Sequence, residues 1–172
     1  MFRKIAWISL LLASCTSAPP EEKPKDVDWS TKKSTDMNQD FAIEEDLRIK
    51  MFLADRPDWK TVKTGSGLRY YIYKPGPGPQ AESGMRARVK YRIELLDGTL
   101  CYETEKNETE VFEIDNSEVE TGVQEGIKKM KVGDKAKLIL PSHIAHGLTG
   151  DMDQIPPLST IVIDLELISL EK

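Results

Sequence analysis

The sequence is short of the residues that build metal sites and disulfide scaffolds: 172 residues hold 2 cysteines and 2 histidines. A four-ligand Cys/His zinc site would use all of them, and Cys15, Cys101, His143 and His146 have no zinc-finger spacing. Positive charge is also in deficit. Lys and Arg total 24 against 29 Asp and Glu, a formal net charge of −5. A sequence-blind nucleic-acid binder carries the opposite balance, so no nucleic acid is expected as a partner. Neither GxGxxG nor GxxxxGK[ST] occurs, which removes the phosphate-cradling fingerprints. No Ser, His and carboxylate motifs converge on a hydrolase pattern. Long apolar runs are missing too: residues 5–12 form the first apolar stretch, about half of the roughly 20 residues that a spanning helix needs. The length leaves room for one domain and a tail.

That short apolar run reads as an address. Arg3 and Lys4 precede it, and Leu12-Ala13-Ser14-Cys15 ends it. A basic start, a short apolar core and small residues before a cleavage point make an export signal. The Leu-Ala-Ser-Cys ending resembles the bacterial lipoprotein signal, which implies removal of residues 1–14 and lipidation of Cys15. An uncleaved anchor or an ordinary secretory peptide is the alternative. Two or three acyl chains would anchor the protein to a membrane where one holds only marginally. The expected location is lipid-anchored to a bacterial membrane, on the periplasmic side or the cell surface, with the outer membrane favoured. Lipidation of Cys15 would leave Cys101 without an intramolecular partner, so no disulfide is expected.

Residues 15–39 are polar, with Pro19, Pro20 and Pro24, and read as a flexible tether. Residues 40–56 change character. Ile43, Leu47 and Met51 recur four apart, Asp40 is placed to cap, and Pro57 limits the run. An amphipathic helix is expected, packed on the following domain or used for weak self-association. From residue 59 the period changes to two. In residues 85–96, Met85, Ala87, Val89, Tyr91, Ile93 and Leu95 alternate with Arg86, Arg88, Lys90, Arg92 and Glu94, the pattern of a half-buried antiparallel strand. Asp97-Gly98 signals a hairpin. Asn116 or Ser117 is a candidate cap for a short helix with Val123, Ile127 and Met130 on one face. Residues 136–140 and 161–170 read as strands around a long loop, 143–157. Several antiparallel strands with a short helix between them make an α+β fold.

The order of these parts resembles a family. Val89-Lys90-Tyr91 with Leu95-Leu96-Asp97-Gly98, the run Gly122-Val123-Gln124-Glu125-Gly126-Ile127 continuing to Gly133-Asp134, Ala145-His146-Gly147, and Ile155-Pro156-Pro157 followed by Ser159-Thr160-Ile161 stand in register with the motifs of FKBP-type peptidyl-prolyl isomerases. The signal, tether and leading helix are similar to the gliding-motility-associated lipoprotein isomerases of that family. The resemblance implies a twisted antiparallel sheet wrapped around one short helix, spanning residues 59–172. It implies a cleft between helix and sheet, no metal and no cofactor. The implied partners are proline-containing polypeptide clients, exported or at the cell surface, whose folding the protein assists; a non-catalytic binding module on the same fold is the alternative.

Carried over residue by residue, the resemblance places Tyr91, Tyr102, His146 and Ile155 in the catalytic wall. Cys101, Val119, Glu120, Val123 and Ile163 line the substrate cleft. Several of these depart from the family pattern. Val123 stands where many members have a Trp floor, Cys101-Tyr102 where the pattern has Phe-Asp, His146 for a Tyr, Ile163 for a Phe and Glu120 for an Ile. The expectation is a pocket that keeps its apolar shape, loses most of its aromatic lining and loses its carboxylate.

Overall fold

A computed structural model describes residues 31–172, with side chains from residue 33. The export signal, Cys15 and the first part of the expected tether lie outside the described residues. Strands β1 (Val62–Lys63), β2 (Arg69–Lys74), β3 (Arg86–Leu95), β4 (Leu100–Glu103), β5 (Glu110–Glu113), β6 (Lys135–Leu140) and β7 (Ile161–Glu171) form one antiparallel sheet. The spatial order is β1-β2-β6-β7-β3-β4, and β5 pairs with β3 beside β4. The long strands β3 and β7 pair from Arg86↔Glu171 to Leu95↔Ile161, with a shift at Arg88/Val89. Strand β4 takes the distal half of β3 and β5 the proximal half. The alternation read in residues 85–96 therefore continues into a real ladder.

Helix α2 (Thr121–Ile127) lies on the concave face and buries Val123 and Ile127 against β6 and β7. Its two glycines let it approach closely. A Cβ on Gly122 would sit 2.6 Å from the Leu140 side chain, and one on Gly126 would sit 2.7 Å from Leu138. Contacts that short force a shift, so the Gly-x-x-x-Gly spacing sets the distance between helix and sheet. The cap differs from the expectation. Glu120 is the N-cap residue, without a side-chain cap bond. Ser117 Oγ instead accepts from Gln124 Nε2 (2.7 Å), and Gln124 Oε1 accepts the Asp115 N–H (2.9 Å). Gln124 thus ties the preceding turn to the helix after it has started.

Helix α1 (Thr31–Ala54) lies on the convex face and starts nine residues before Asp40, inside the segment expected to be tether. Its 24 residues contain neither Gly nor Pro, and Glu44–Arg48 and Asp46–Lys50 pair at i, i+4. Both pairs lie downstream of Asp40, and Thr, Ser, Asp and Asn make up most of residues 31–39, so intrinsic propensity does not account for the upstream turns. The packed face also differs from the expected one. Ile43, Leu47 and Met51 point to solvent at 68%, 56% and 64% exposure, while Glu45 and Ile49 are buried, with Phe52 and Leu53 packed beside them. The convex face offers only a small apolar patch, Ile139 and Val162, to receive a helix. Polar groups complete the docking. Asp46 Oδ1 accepts from Lys63 Nζ (2.6 Å) and Arg69 (2.5 Å), and the hydrogen bonds of Lys63, Lys50 and Arg69 hold its carboxyl well below the usual carboxylate range.

Candidate active site

An open cavity of about 700 Å³ lies between α2, the concave face of β3 and β7, the β5 strand and residues 146–151. That volume suits a short peptide segment or a drug-sized ligand. Val123, Ile163 and Leu165 form its floor. Tyr91, Ile93, Phe112 and Val119 form apolar walls, and Tyr102, Glu120, His146 and Asp151 add polar groups. The strand period explains the placement: Tyr91 and Ile93 share a face of β3, and Ile163 and Leu165 share a face of β7.

Two hydrogen-bonded pairs and one close histidine–carboxylate pair ring the cavity. Tyr91 Oη–H donates to Glu110 Oε1 (2.6 Å). Burial first, and then this carboxylate, raise the phenol above its ordinary range, so it stays a donor. Tyr102 Oη–H donates to Asp151 Oδ2. That bond first, with burial, pushes the Tyr102 phenol up to about 12. Burial alone would raise Asp151. Hydrogen bonds from Tyr102 and from the N–H groups of Asp153 (2.9 Å) and Ile155 (2.8 Å) outweigh it and bring the carboxyl down to about 2. His146 Nε2 lies 2.9 Å from Glu120 Oε1, each side chain 22% exposed.

Of the nine cleft residues expected from the sequence, Tyr91, Tyr102, His146, Val119, Glu120, Val123 and Ile163 line this cavity. Ile155 and Cys101 do not. Ile155 is 2% exposed and packs in the core, where its N–H fixes Asp151. Cys101 is 5% exposed, its Sγ near the carbonyls of Thr99 and Gln154, and burial pushes its thiol up. Both support the wall from behind.

Two expectations about the lining are corrected. The cavity keeps three aromatic rings, because Phe112 joins Tyr91 and Tyr102. It also keeps a carboxylate: Asp151 enters from the loop and meets the hydroxyl of Tyr102. Phe112 lies on β5, outside the motifs that carry the family resemblance. Asp151 had one local signal, Gly150 before it. Gly150 has φ +68, and a Cβ there would lie 2.2 Å from the Ile155 carbonyl oxygen, so the bend that presents Asp151 needs glycine. Among the described residues, no group of three or more His, Cys, Asp or Glu is arranged to hold a metal ion. His143, the nearest histidine in sequence, bonds the Ser66 carbonyl instead (2.8 Å).

Comparison with known proteins agrees with this geometry. The family model for FKBP-type peptidyl-prolyl cis-trans isomerase matches residues 78–168. The chain belongs to the FKBP-type peptidyl-prolyl cis-trans isomerase family. It is 34% identical over 133 residues to the FKBP-type peptidyl-prolyl cis-trans isomerase FkpA of Aeromonas hydrophila, covering 76% of this chain and 48% of that one. It is 36% identical over 114 residues to FkpA of Escherichia coli, covering 65% and 41%. The chain thus spans less than half the length of these FKBP-type relatives. The crystal structure of FkpA from Escherichia coli superposes with a TM-score of 0.66 at 29% identity, covering 80% of this chain and 64% of that chain. A peptidyl-prolyl cis-trans isomerase structure from Pseudomonas syringae pv. tomato shares the fold, with a TM-score of 0.62 at 23% identity over 85% and 99%.

Proposed function

We propose that this FKBP-type domain catalyses cis-trans isomerisation of X–Pro bonds in exported or cell-surface polypeptides. The observation that carries the reading is the open apolar cavity in which the floor of Val123 and Ile163 meets the wall of Tyr91 and Val119. Rotation about an X–Pro bond faces a barrier near 20 kcal/mol and takes roughly tens of seconds unaided. No bond to carbon breaks, so no nucleophile or base is needed. Twisting the amide removes its conjugation and lowers its dipole. An apolar, water-poor site therefore favours the twisted state over the planar one. The polar groups at the rim, Tyr91, Tyr102–Asp151 and His146–Glu120, offer donors and acceptors to the flanking amides. A thousandfold acceleration requires about 4 kcal/mol of this differential binding.

The test is the rate of cis-to-trans conversion for a set of X–Pro peptides. Wild-type protein should accelerate it, and Val119→Asp, at the half-buried cavity mouth, should cut the acceleration by letting water in. A folded protein without any acceleration would instead favour the second reading, a binding module. The observation behind that reading is the small Val123 floor under an acid-rich rim.

The finer reading adds an address and an assembly. The Leu-Ala-Ser-Cys ending supports lipidation at Cys15 and attachment to the periplasmic side or the cell surface, most naturally of the outer membrane. Among the described residues no helix is long and apolar enough to cross a membrane. Labelled fatty acid should enter wild-type protein and not Cys15→Ala, and the wild type should fractionate with membranes. The exposed stripe of Ile43, Leu47 and Met51 supports weak self-association through α1. Service to a gliding apparatus is the sequence-level extension of the same reading, and its test is the motility of cells lacking the protein.

A further inference from the structure

Glu45 is a charged-type residue that is 7% exposed in the middle of α1, on the side of the sheet away from the cavity. Its two oxygens take three donors. Oε1 accepts the Ser142 N–H (2.6 Å) and the Thr160 hydroxyl (2.7 Å), and Oε2 accepts the Ser142 hydroxyl (3.0 Å). Ser142 and Thr160 are themselves buried. They stand at the two stems of the loop that follows β6 and precedes β7, just past the last ladder pair, Leu140↔Ile161. Glu45 therefore takes over where the sheet stops holding the stems together.

The loop between those stems carries His146 and Asp151. The Ser142 carbonyl accepts the N–H groups of Ala145 (3.0 Å) and Gly147 (2.8 Å), which flank His146. The Gly147 carbonyl accepts the Leu158 N–H (3.0 Å), joining the two limbs. From Glu45 through Ser142 to the backbone on both sides of His146 the connections are hydrogen bonds. The descending limb returns to Glu45 at Thr160.

We propose that Glu45 is a positioning residue for the cavity. Helix α1 staples both stems of the loop that presents His146 and Asp151, and its docking sets the fraction of molecules whose cavity is ready for peptide. This rests on the isomerase reading for its kinetic consequence but not for its structural one. A loosened loop lowers the competent fraction, and apparent affinity falls in proportion while the chemistry of a bound peptide is kept.

The experiment compares full-length wild type, Glu45→Ala and Glu45→Gln, with Arg48→Ala as an exposed change on the same helix. Amide exchange at Ala145 and Gly147 should speed up at least tenfold in Glu45→Ala while β3 and β7 amides stay protected. KM for an X–Pro peptide should rise about tenfold with kcat within twofold. Glu45→Gln keeps an oxygen for the Ser142 N–H and should recover part of both, and Arg48→Ala should match wild type. Unchanged loop exchange in Glu45→Ala would overturn the proposal, as would a fall in kcat at unchanged KM. If wild-type protein isomerises nothing, the isomerase reading fails by itself. Peptide Kd at the cavity, followed by NMR, then decides: a tenfold rise in Glu45→Ala supports the staple, and an unchanged Kd overturns it.

Discussion

On its concave face the sheet presents Ala87, Val89, Leu138, Ile163 and Leu165 to α2 and the cavity. On its convex face it presents Lys135, Lys137, Asp164 and Glu166 in cross-strand pairs, with only Ile139 and Val162 left for α1. The concave side is held by apolar contact at short range, close enough that Gly122 and Gly126 are required. The convex side adds to the small apolar patch around Ile49 two acidic residues, Glu45 and Asp46, each taking several donors. Burial of apolar surface is roughly proportional to area and indifferent to direction. Hydrogen bonds to a buried carboxylate are directional, so they fix where one particular loop stem must be. One sheet thus makes a core on one side and a frame on the other.

The largest effect that can break this contrast is a carboxylate placed in each face. Ile155→Asp buries an unpaired charge behind the cavity, at a cost of several kcal/mol, and should abolish cooperative unfolding in urea. Ile49→Asp makes the same change under α1 and should remove the helix's docking while the sheet still unfolds cooperatively. If both variants lose the whole fold, the two faces are not separable.

A smaller effect tests the concave contact. In Gly126→Val the new side chain begins 2.7 Å from Leu138, so α2 must lift. Overpacking of this kind costs about 1–3 kcal/mol, read from the urea midpoint. Next comes Tyr102→Asp, which would restore the family's residue type. Here it places a second carboxylate against Asp151 and removes the hydroxyl that Asp151 accepts. The variant should lose about tenfold in kcat/KM, equivalent to about 1.4 kcal/mol. A gain in rate would show that Asp151 does not replace the missing carboxylate.

The convex face has a pH signature. The folded Asp46 carboxyl lies below its ordinary 3.8. A depressed carboxyl contributes stability that is present above the unfolded value and is lost as pH falls toward the folded one. Amide protection of α1 should therefore weaken below about pH 4 before that of β3 and β7, and Asp46→Asn should already be weakened at neutral pH. The smallest effect concerns clients. Glu110, Glu113, Glu118, Glu120 and Asp151 line the cavity against Arg86 and His146. A peptide with Lys beside its X–Pro pair should be turned over a few-fold faster than one with Glu, and added salt should narrow the difference.

The two faces were also unequally legible. Periodicity located β3, β6, β7 and the apolar face of α2, because each turns alternate apolar residues, or one helical stripe, toward the core. The registered motifs brought seven cleft residues together. The convex face misled: Ile43, Leu47 and Met51 formed the visible stripe, yet the docking residues are Glu45 and Asp46, whose partners lie 97 and 23 residues away. No local pattern marks a carboxylate that will be buried. The cavity loop was unreadable for a related reason. Met152 and Leu158 hold positive φ, at 63° and 55°, where side chains rarely go, and Gly147 and Gly150 marked bends without fixing the path between them. Asp151 and the inward turn of Ile155 depend on that loop path, so one was missed and the other misplaced.

The most direct test of the account is NMR exchange spectroscopy on a Leu-Pro peptide with a substoichiometric amount of the full chain. The account predicts cis-trans exchange well above the uncatalysed rate, with shifts confined to Tyr91, Val119, Val123 and Ile163. Exchange at the uncatalysed rate with the protein folded, or shifts confined to α1 and the convex face, would contradict it.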